Sequence, residues 1–251
     1  MRAENIIAAR AVIAPVPPGD QRATTAGSGG AWHFLAGVDW PQLLLVLSVV
    51  TMTVGNLAAL QQSGVKRMLA YSGVAHAGYL LMGLVVLSTP GLEAMLFYLI
   101  AYYFMNLGAF AVLIVVHNHT GSDAIDGFRG LAWRGGAFPA VAMAAFLFSL
   151  IGVPPFVGFF AKLYLFAAVI EQKMYALALI GVLNSVISVG YYFLILRTMF
   201  LDRPPAGASA VVTTLHDYAI LLILLTATCV FGLWSGPMFA FARYSLQFFA
   251  G

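Results

Sequence analysis

Six long apolar segments follow one another after residue 35, parted by polar stretches, and each is near the roughly 20 residues a membrane-spanning helix needs. They run from about Trp40 to Leu60, Met68 to Leu87, Ala94 to Val116, Phe138 to Ile170, Met174 to Leu196 and Tyr218 to Phe241. The fourth is too long for one straight span and contains Pro154-Pro155. Two prolines remove two backbone donors and clash with the preceding turn, so a break is expected there. Residues 1–35 read differently, with Pro15, Pro17, Pro18 and a Thr/Gly/Ser stretch from Thr24 to Gly30. Their apolar piece Ile6–Ile13 is interrupted by Arg10 and is too short to span. The pattern predicts an all-α integral membrane protein of about six transmembrane helices, one of them discontinuous. A flexible N-terminal tail is expected over 1–35 and a helical membrane domain over 36–251.

Composition changes the picture only by naming the solvent. Charged residues are 8% of the chain and apolar ones 62%, with a mean hydropathy of +0.93. A soluble domain carries roughly 25% charged residues. So few charges could not cover a water-facing surface, whereas a lipid bilayer removes that demand. Net charge is +3 and the twelve Lys and Arg are scattered, so there is no basic stripe for nucleic acid. Cys229 stands alone in an apolar run and can form no internal disulfide. Lys66/Arg67, Arg129/Arg134 and Arg197/Arg203 lie in the first, third and fifth loops, while Lys173 alone lies in the fourth. The odd loops are therefore predicted to be cytoplasmic.

Ionisable and polar residues at membrane depth come next. Lys162 is flanked by Phe159, Phe160, Leu163 and Phe166, nine residues before Glu171. That is roughly 13 Å of helix from the nearest polar end, farther than a snorkelling lysine readily reaches. A charge at the bilayer centre costs about 2.5–3.5 kcal/mol even on the gentlest scale. Because burial disfavours the ammonium form, Lys162 is suited to take up and release a proton. Pro154 and Pro155 sit just before it, and transporters place ion sites at such broken helices. In the second segment Lys66 opens the helix, and Ser72, His76 and Tyr79 share one face at i, i+4, i+7 spacing, with Tyr71 beside them. A hydroxyl, an imidazole and a phenol on one face could relay protons. Tyr98, Tyr102 and Asn106 repeat every four residues along the third segment. Asn184, Ser185, Ser188, Tyr191 and Tyr192 stud the fifth. The plainer readings are a helix-end cation pair for Lys66/Arg67, a packing kink for the prolines and interhelical hydrogen bonding for the rest. No phosphate loop with a following Lys-Ser/Thr and no cysteine cluster is present. His117 and His119, near Asp123 and Asp126, are weak ground for a metal. No metal or redox cofactor is expected in this chain.

Three stretches carry a resemblance. Gly55-Asn56-Leu57-Ala58-Ala59-Leu60-Gln61-Gln62 leads into Val65-Lys66-Arg67-Met68-Leu69-Ala70-Tyr71-Ser72-Gly73-Val74-Ala75-His76-Ala77-Gly78-Tyr79. Tyr102-Tyr103-Phe104-Met105-Asn106-Leu107-Gly108 follows, then Gly152-Val153-Pro154-Pro155-Phe156-Val157-Gly158-Phe159-Phe160-Ala161-Lys162. In this order they resemble subunit N of bacterial NADH:quinone oxidoreductase, respiratory complex I, an antiporter-like membrane subunit. The resemblance covers about residues 40 to 245. It implies the last six of the family's fourteen helices, with Lys162 as the broken-helix lysine of the second half-channel. It also implies that Lys66 and His76 lie on a polar axis that couples quinone reduction to proton pumping. NADH, FMN, iron–sulfur clusters and quinone would all act elsewhere in the complex. The implied partners are the other membrane-arm subunits, the lipid bilayer, and a separate N-terminal half to supply the first eight helices. The implied location is the bacterial inner membrane. Two other readings stay open: a subunit of a multi-subunit cation/proton antiporter, and an inactive half-subunit that only packs against its neighbours.

Overall fold

A computed structural model describes residues 39–86, 88–207 and 210–250. The tail assigned to 1–35 lies outside them. Among the described residues the regular structure is helical, apart from one isolated bridge between Gly64 and Ala124. The helices are α1 (Trp40–Leu60), α2 (Val65–Val85), α3 (Thr89–Thr120), α4 (Ala137–Ile151), α5 (Val157–Glu171), α6 (Tyr175–Phe200), α7 (Leu215–Leu233) and α8 (Gly236–Ala250).

The ends follow local chemistry. Asp39 caps α1 by accepting from Gln42 N, and Ser88 caps α3 by accepting from Gly91 N at 3.2 Å. A proline in the first turn of each helix adds to the start signal. Gly121, at φ 66°, closes α3 in the left-handed conformation that glycine adopts freely. These caps carry α3 past the expected Ala94–Val116 in both directions. Thr214 and Asp217 form a reciprocal capping box at the start of α7.

Five helices (α1, α2, α3, α6 and α7) are long and apolar enough to cross a membrane. The expected long fourth segment is two helices of 15 residues each. At 1.5 Å per residue each spans about 22 Å, short of a hydrocarbon core of about 30 Å. The break covers Gly152–Phe156, with Gly152 at φ 93°. Gly130 N donates to Thr198 O, so α4 begins at the end of the bundle where α6 finishes. Gln172–Met174 then joins α5 to the start of α6 at the opposite end. Together α4 and α5 run from one end of the bundle to the other.

The last segment departs from expectation. The apolar run from Tyr218 to Phe241 predicts one span, but α7 stops at Leu233 and a second helix starts at Gly236. Hydropathy alone overlooks Gly236-Pro237, and proline has no N–H with which to continue the helix that precedes it. Arg243 on α8 pairs with the mostly buried Glu93 near the start of α3 at 3.3 Å, tying α8 to that end of the bundle.

Two buried apolar clusters hold the helices. One gathers Met68, Val112, Leu131, Phe146, Ile195 and Leu221 at the end where α4 begins. The other gathers Met82, Phe97, Val157, Leu165, Leu177 and Met238 towards the opposite end. Tyr191 and Tyr192 belong to the first, Tyr79 and Tyr98 to the second, and Tyr102 packs against both. The polar side chains therefore collect where the two cores meet. Helices α1 and α2 touch at their backbones. A Cβ on Gly55 would lie 2.5 Å from Ala75 N, and one on Gly78 would lie 2.5 Å from Met52 N. Only glycine allows this approach, and small residues at crossings are how helices pack without a hydrophobic driving force.

Candidate functional site

Helix α4 ends where the prolines forbid its continuation, and its last carbonyls are left without intrahelical donors. Lys162, in the second turn of α5, fills that need. Its Nζ donates to Leu150 O at 3.0 Å, Ile151 O at 2.8 Å and Ser185 Oγ at 2.8 Å. The side chain is 6% exposed. The Tyr79 ring lies under it, with its centroid 5.1 Å from Nζ. Among the described residues Lys162 is in no ion pair. What stabilises the charge instead is a helix C-terminus, worth up to about 2 kcal/mol to a cation in a partly buried setting. The three charge-assisted hydrogen bonds add to this. Gly152 makes room for the stem, since a Cβ there would come within 3.0 Å of Lys162 Cδ. Ser149 steadies the far side of the break by accepting from Gly158 N at 3.1 Å. Pro154 and Pro155 are exposed at the break between α4 and α5.

A second polar group lies beyond Tyr79. His76 is 2% exposed. Its Nδ1 meets the Tyr98 hydroxyl at 2.8 Å, and its Nε2 meets the Tyr192 hydroxyl at 3.4 Å. Ser72 Oγ is hydrogen-bonded to the same Tyr192 hydroxyl. The shared face of Ser72, His76 and Tyr79 is therefore buried as one. Tyr102 packs its ring on His76, with centroids 4.9 Å apart. No direct hydrogen bond joins this group to Lys162. Tyr79 stands between them, its hydroxyl committed to Gly181 O at 3.1 Å and its ring 5.9 Å from that of His76. The coupling these contacts offer is electrostatic, between an ammonium and an imidazole across an aromatic ring.

Other candidates are placed elsewhere. Lys66 is exposed on the first turn of α2, ten residues or about 15 Å of helix from His76, and is not part of the cluster. Tyr71 points outward at 41% exposure, because one residue of helix turns a side chain by about 100° from Ser72. Asn106 lines a groove on the outer side of α3 with Tyr103 and Leu107. His117 pairs with Asp123 at 2.7 Å and His119 bonds Val212 O at 2.6 Å. Among the described residues no group of three or more His, Cys, Asp or Glu could hold a metal.

The structure also reveals residues that the sequence reading passed over. Asn56, wholly buried on α1, accepts from Tyr191 at 2.9 Å and donates to Asn184 Oδ1 at 3.1 Å. Asn184 in turn donates to Thr53 Oγ1 at 3.2 Å. The signal was an asparagine in the middle of an apolar helix, which only a partner on another helix can satisfy. Finally, a cleft of about 310 Å³ opens between α5 and α6. Its walls are apolar, with Phe159, Leu163, Val182 and Val186 among them, and its polar floor is Lys162 and Ser185.

Comparison with known proteins agrees with this architecture. The sequence model of a family described as NADH:quinone oxidoreductase/Mrp antiporter, TM, matches residues 31–188. A protein from Anaeromyxobacter sp. (strain Fw109-5) named NADH-quinone oxidoreductase subunit N is 47% identical over 225 residues, covering 86% of this chain and 43% of its own length. One of the same name from Chlorobium chlorochromatii is 45% identical over 218 residues, covering 85% of this chain and 42% of its own. The chain thus spans less than half the length of these relatives. Among solved structures, a chain of respiratory complex I from Thermus thermophilus with bound aureothin superposes with a TM-score of 0.69 at 30% identity, over 80% of this chain and 45% of that one. A chain of the Mrp complex from Dietzia sp. DQ12-45-1b superposes with a TM-score of 0.76 at 23% identity, over 82% of this chain and 46% of that one, a likeness of fold.

Proposed function

Because this chain belongs to the NADH:quinone oxidoreductase/Mrp antiporter family of membrane proteins, we propose that it forms the second half of an antiporter-like membrane-arm subunit of NADH:quinone oxidoreductase. In that setting it couples electron transfer from NADH to quinone, carried out elsewhere in the complex, to proton translocation across the bacterial inner membrane. FMN, the iron–sulfur clusters and the quinone belong to other subunits. Other membrane-arm subunits and an N-terminal half are its partners.

The observation that carries this reading is the Lys162 ammonium, buried against the open carbonyl end of α4 with no carboxylate among the described residues to neutralise it. A lysine that only capped α4 would still have to offset about 2.5–3.5 kcal/mol for a charge at mid-bilayer. A proton carrier needs a site where both charge states are accessible. Carbonyls at a helix break provide one, because small movements of α4 against α5 alter how well they hold the cation. His76 senses the charge through Tyr79 and passes the change to Tyr98 and Tyr192. Lys66 enters only as an exposed charge at the end of α2. Support for the quinone oxidoreductase over the cation antiporter comes from the names of the similar curated relatives, since the antiporter likeness is one of fold.

In the complete complex, Lys162→Ala is expected to lower proton pumping about tenfold or more while leaving assembly on native gels unchanged. Lys66→Ala should lower it less. Normal NADH-driven acidification of vesicles carrying Lys162→Ala would defeat the reading.

A further inference from the structure

An ammonium has three donors in this setting and no acceptor. Those of Lys162 are fully used, on Leu150 O, Ile151 O and Ser185 Oγ. A neutral amine has two donors and a lone pair, so one of the three partners must reverse its role when the proton leaves. The two carbonyls can only accept. The Ser185 hydroxyl alone can turn and donate. Neighbouring polar groups are committed elsewhere. Tyr79 presents its ring to Nζ and gives its hydroxyl to Gly181 O. Asn184 is held by Asn56, Thr53 and Ile180 O, and Ser188 donates to Ser185 O at 2.6 Å.

We propose that Ser185 is the reversible partner of the Lys162 proton, accepting from the ammonium, donating to the amine, and passing the proton to water in the α5–α6 cleft. This deepens the reading of Lys162 as proton carrier and rests on it. The step balances as follows. The Nζ–H bond facing Ser185 breaks as a new Oγ–H bond forms. The original Oγ–H bond, held in the resting arrangement only by a 3.3 Å contact to Ile151 O, breaks as a cleft water takes that proton and becomes hydronium. Ser185 remains a hydroxyl throughout, and its new hydrogen points at the amine lone pair. Return of a proton runs the same bonds in reverse. Both residues line the cleft, so a water lodged in it would lie against the hydroxyl.

The test uses the whole complex in inside-out vesicles, with NADH-driven quenching of an acridine dye as the measure of pumping and native gels as the measure of assembly. Ser185→Thr keeps a hydroxyl and should pump within about twofold of the parent, while Ser185→Val, matched to threonine in shape but without the hydroxyl, should lose about tenfold. The gap between the two isosteres isolates the hydroxyl from packing. If the valine variant fails to assemble, Ser185→Ala replaces it, since the side chain faces an open cleft that tolerates a smaller residue. Pumping by Ser185→Val or Ser185→Ala equal to that of Ser185→Thr would overturn the proposal. Lys162→Ala measured alongside separates the two claims. If it pumps normally, the carrier assignment falls and this one with it. If it does not, equal pumping by the serine variants refutes only the role of Ser185.

Discussion

Asn56 shows how much a single polar atom weighs inside an apolar bundle. Its amide joins α1 to α6 through Asn184 and Tyr191. Asn56→Ala leaves the Tyr191 hydroxyl and one Asn184 group unpaired, at about 1–3 kcal/mol each. The expected result is a lower thermal unfolding midpoint of the detergent-solubilised protein. A double-mutant cycle with Tyr191→Phe should show strong coupling, and simple additivity of the two losses would contradict the bond. At this scale the sequence was partly legible. Lys162 declared itself by a charge in a phenylalanine-rich run, and Ser72, His76 and Tyr79 by their spacing. The partners of His76 were not legible, since Tyr98 and Tyr192 are 22 and 116 residues away and only tertiary packing brings them near. The exposure of Tyr71 and Lys66 was equally hidden. An apolar helix offers little asymmetry with which to tell its inward face from its lipid-facing one, because both are apolar.

Helices fared better than their ends. The break in the α4–α5 pair follows from two prolines and a glycine, and it was readable because no alternative conformation satisfies them. The break before α8 had the same kind of signal in Gly236-Pro237, yet the apolar run continued across it and masked the stop. Length was misjudged wherever a cap sat in a polar loop, as at Ser88 and Gly121. The Glu93–Arg243 pair gives α8 a testable anchor. Glu93 is mostly buried, so losing its cation leaves a costly bare carboxylate. Arg243→Ala should therefore speed amide hydrogen exchange in α8 by about tenfold, the equivalent of roughly 1.4 kcal/mol, and leave α1 and α2 unchanged. Equal protection of α8 in both proteins would show that apolar contacts from Met238 and Ala242 hold it unaided.

Across the whole molecule, the ion pairs among the described residues other than Glu93–Arg243 gather at one end, where Arg129 meets Asp126 at 2.8 Å and Arg197 lies 3.9 Å from Asp202. Exposed pairs of this kind add little stability, but their basic members set the insertion direction. With Cys229 replaced by serine, Ser63→Cys is expected to react with an impermeant maleimide from the cytoplasmic side and Lys173→Cys from the opposite side. The reverse pattern would invert the orientation. The apolar clusters above and below the polar layer have an electrical consequence. With greasy seals at both ends, little ion-conducting medium reaches the middle, so the transmembrane voltage falls across the protein itself. An elementary charge crossing the full 100 mV gains about 2.3 kcal/mol, and one lodged part-way feels a corresponding fraction. The occupancy of that inner site by hydrogen ions is therefore expected to respond to the electrical state of the cell as well as to its acidity.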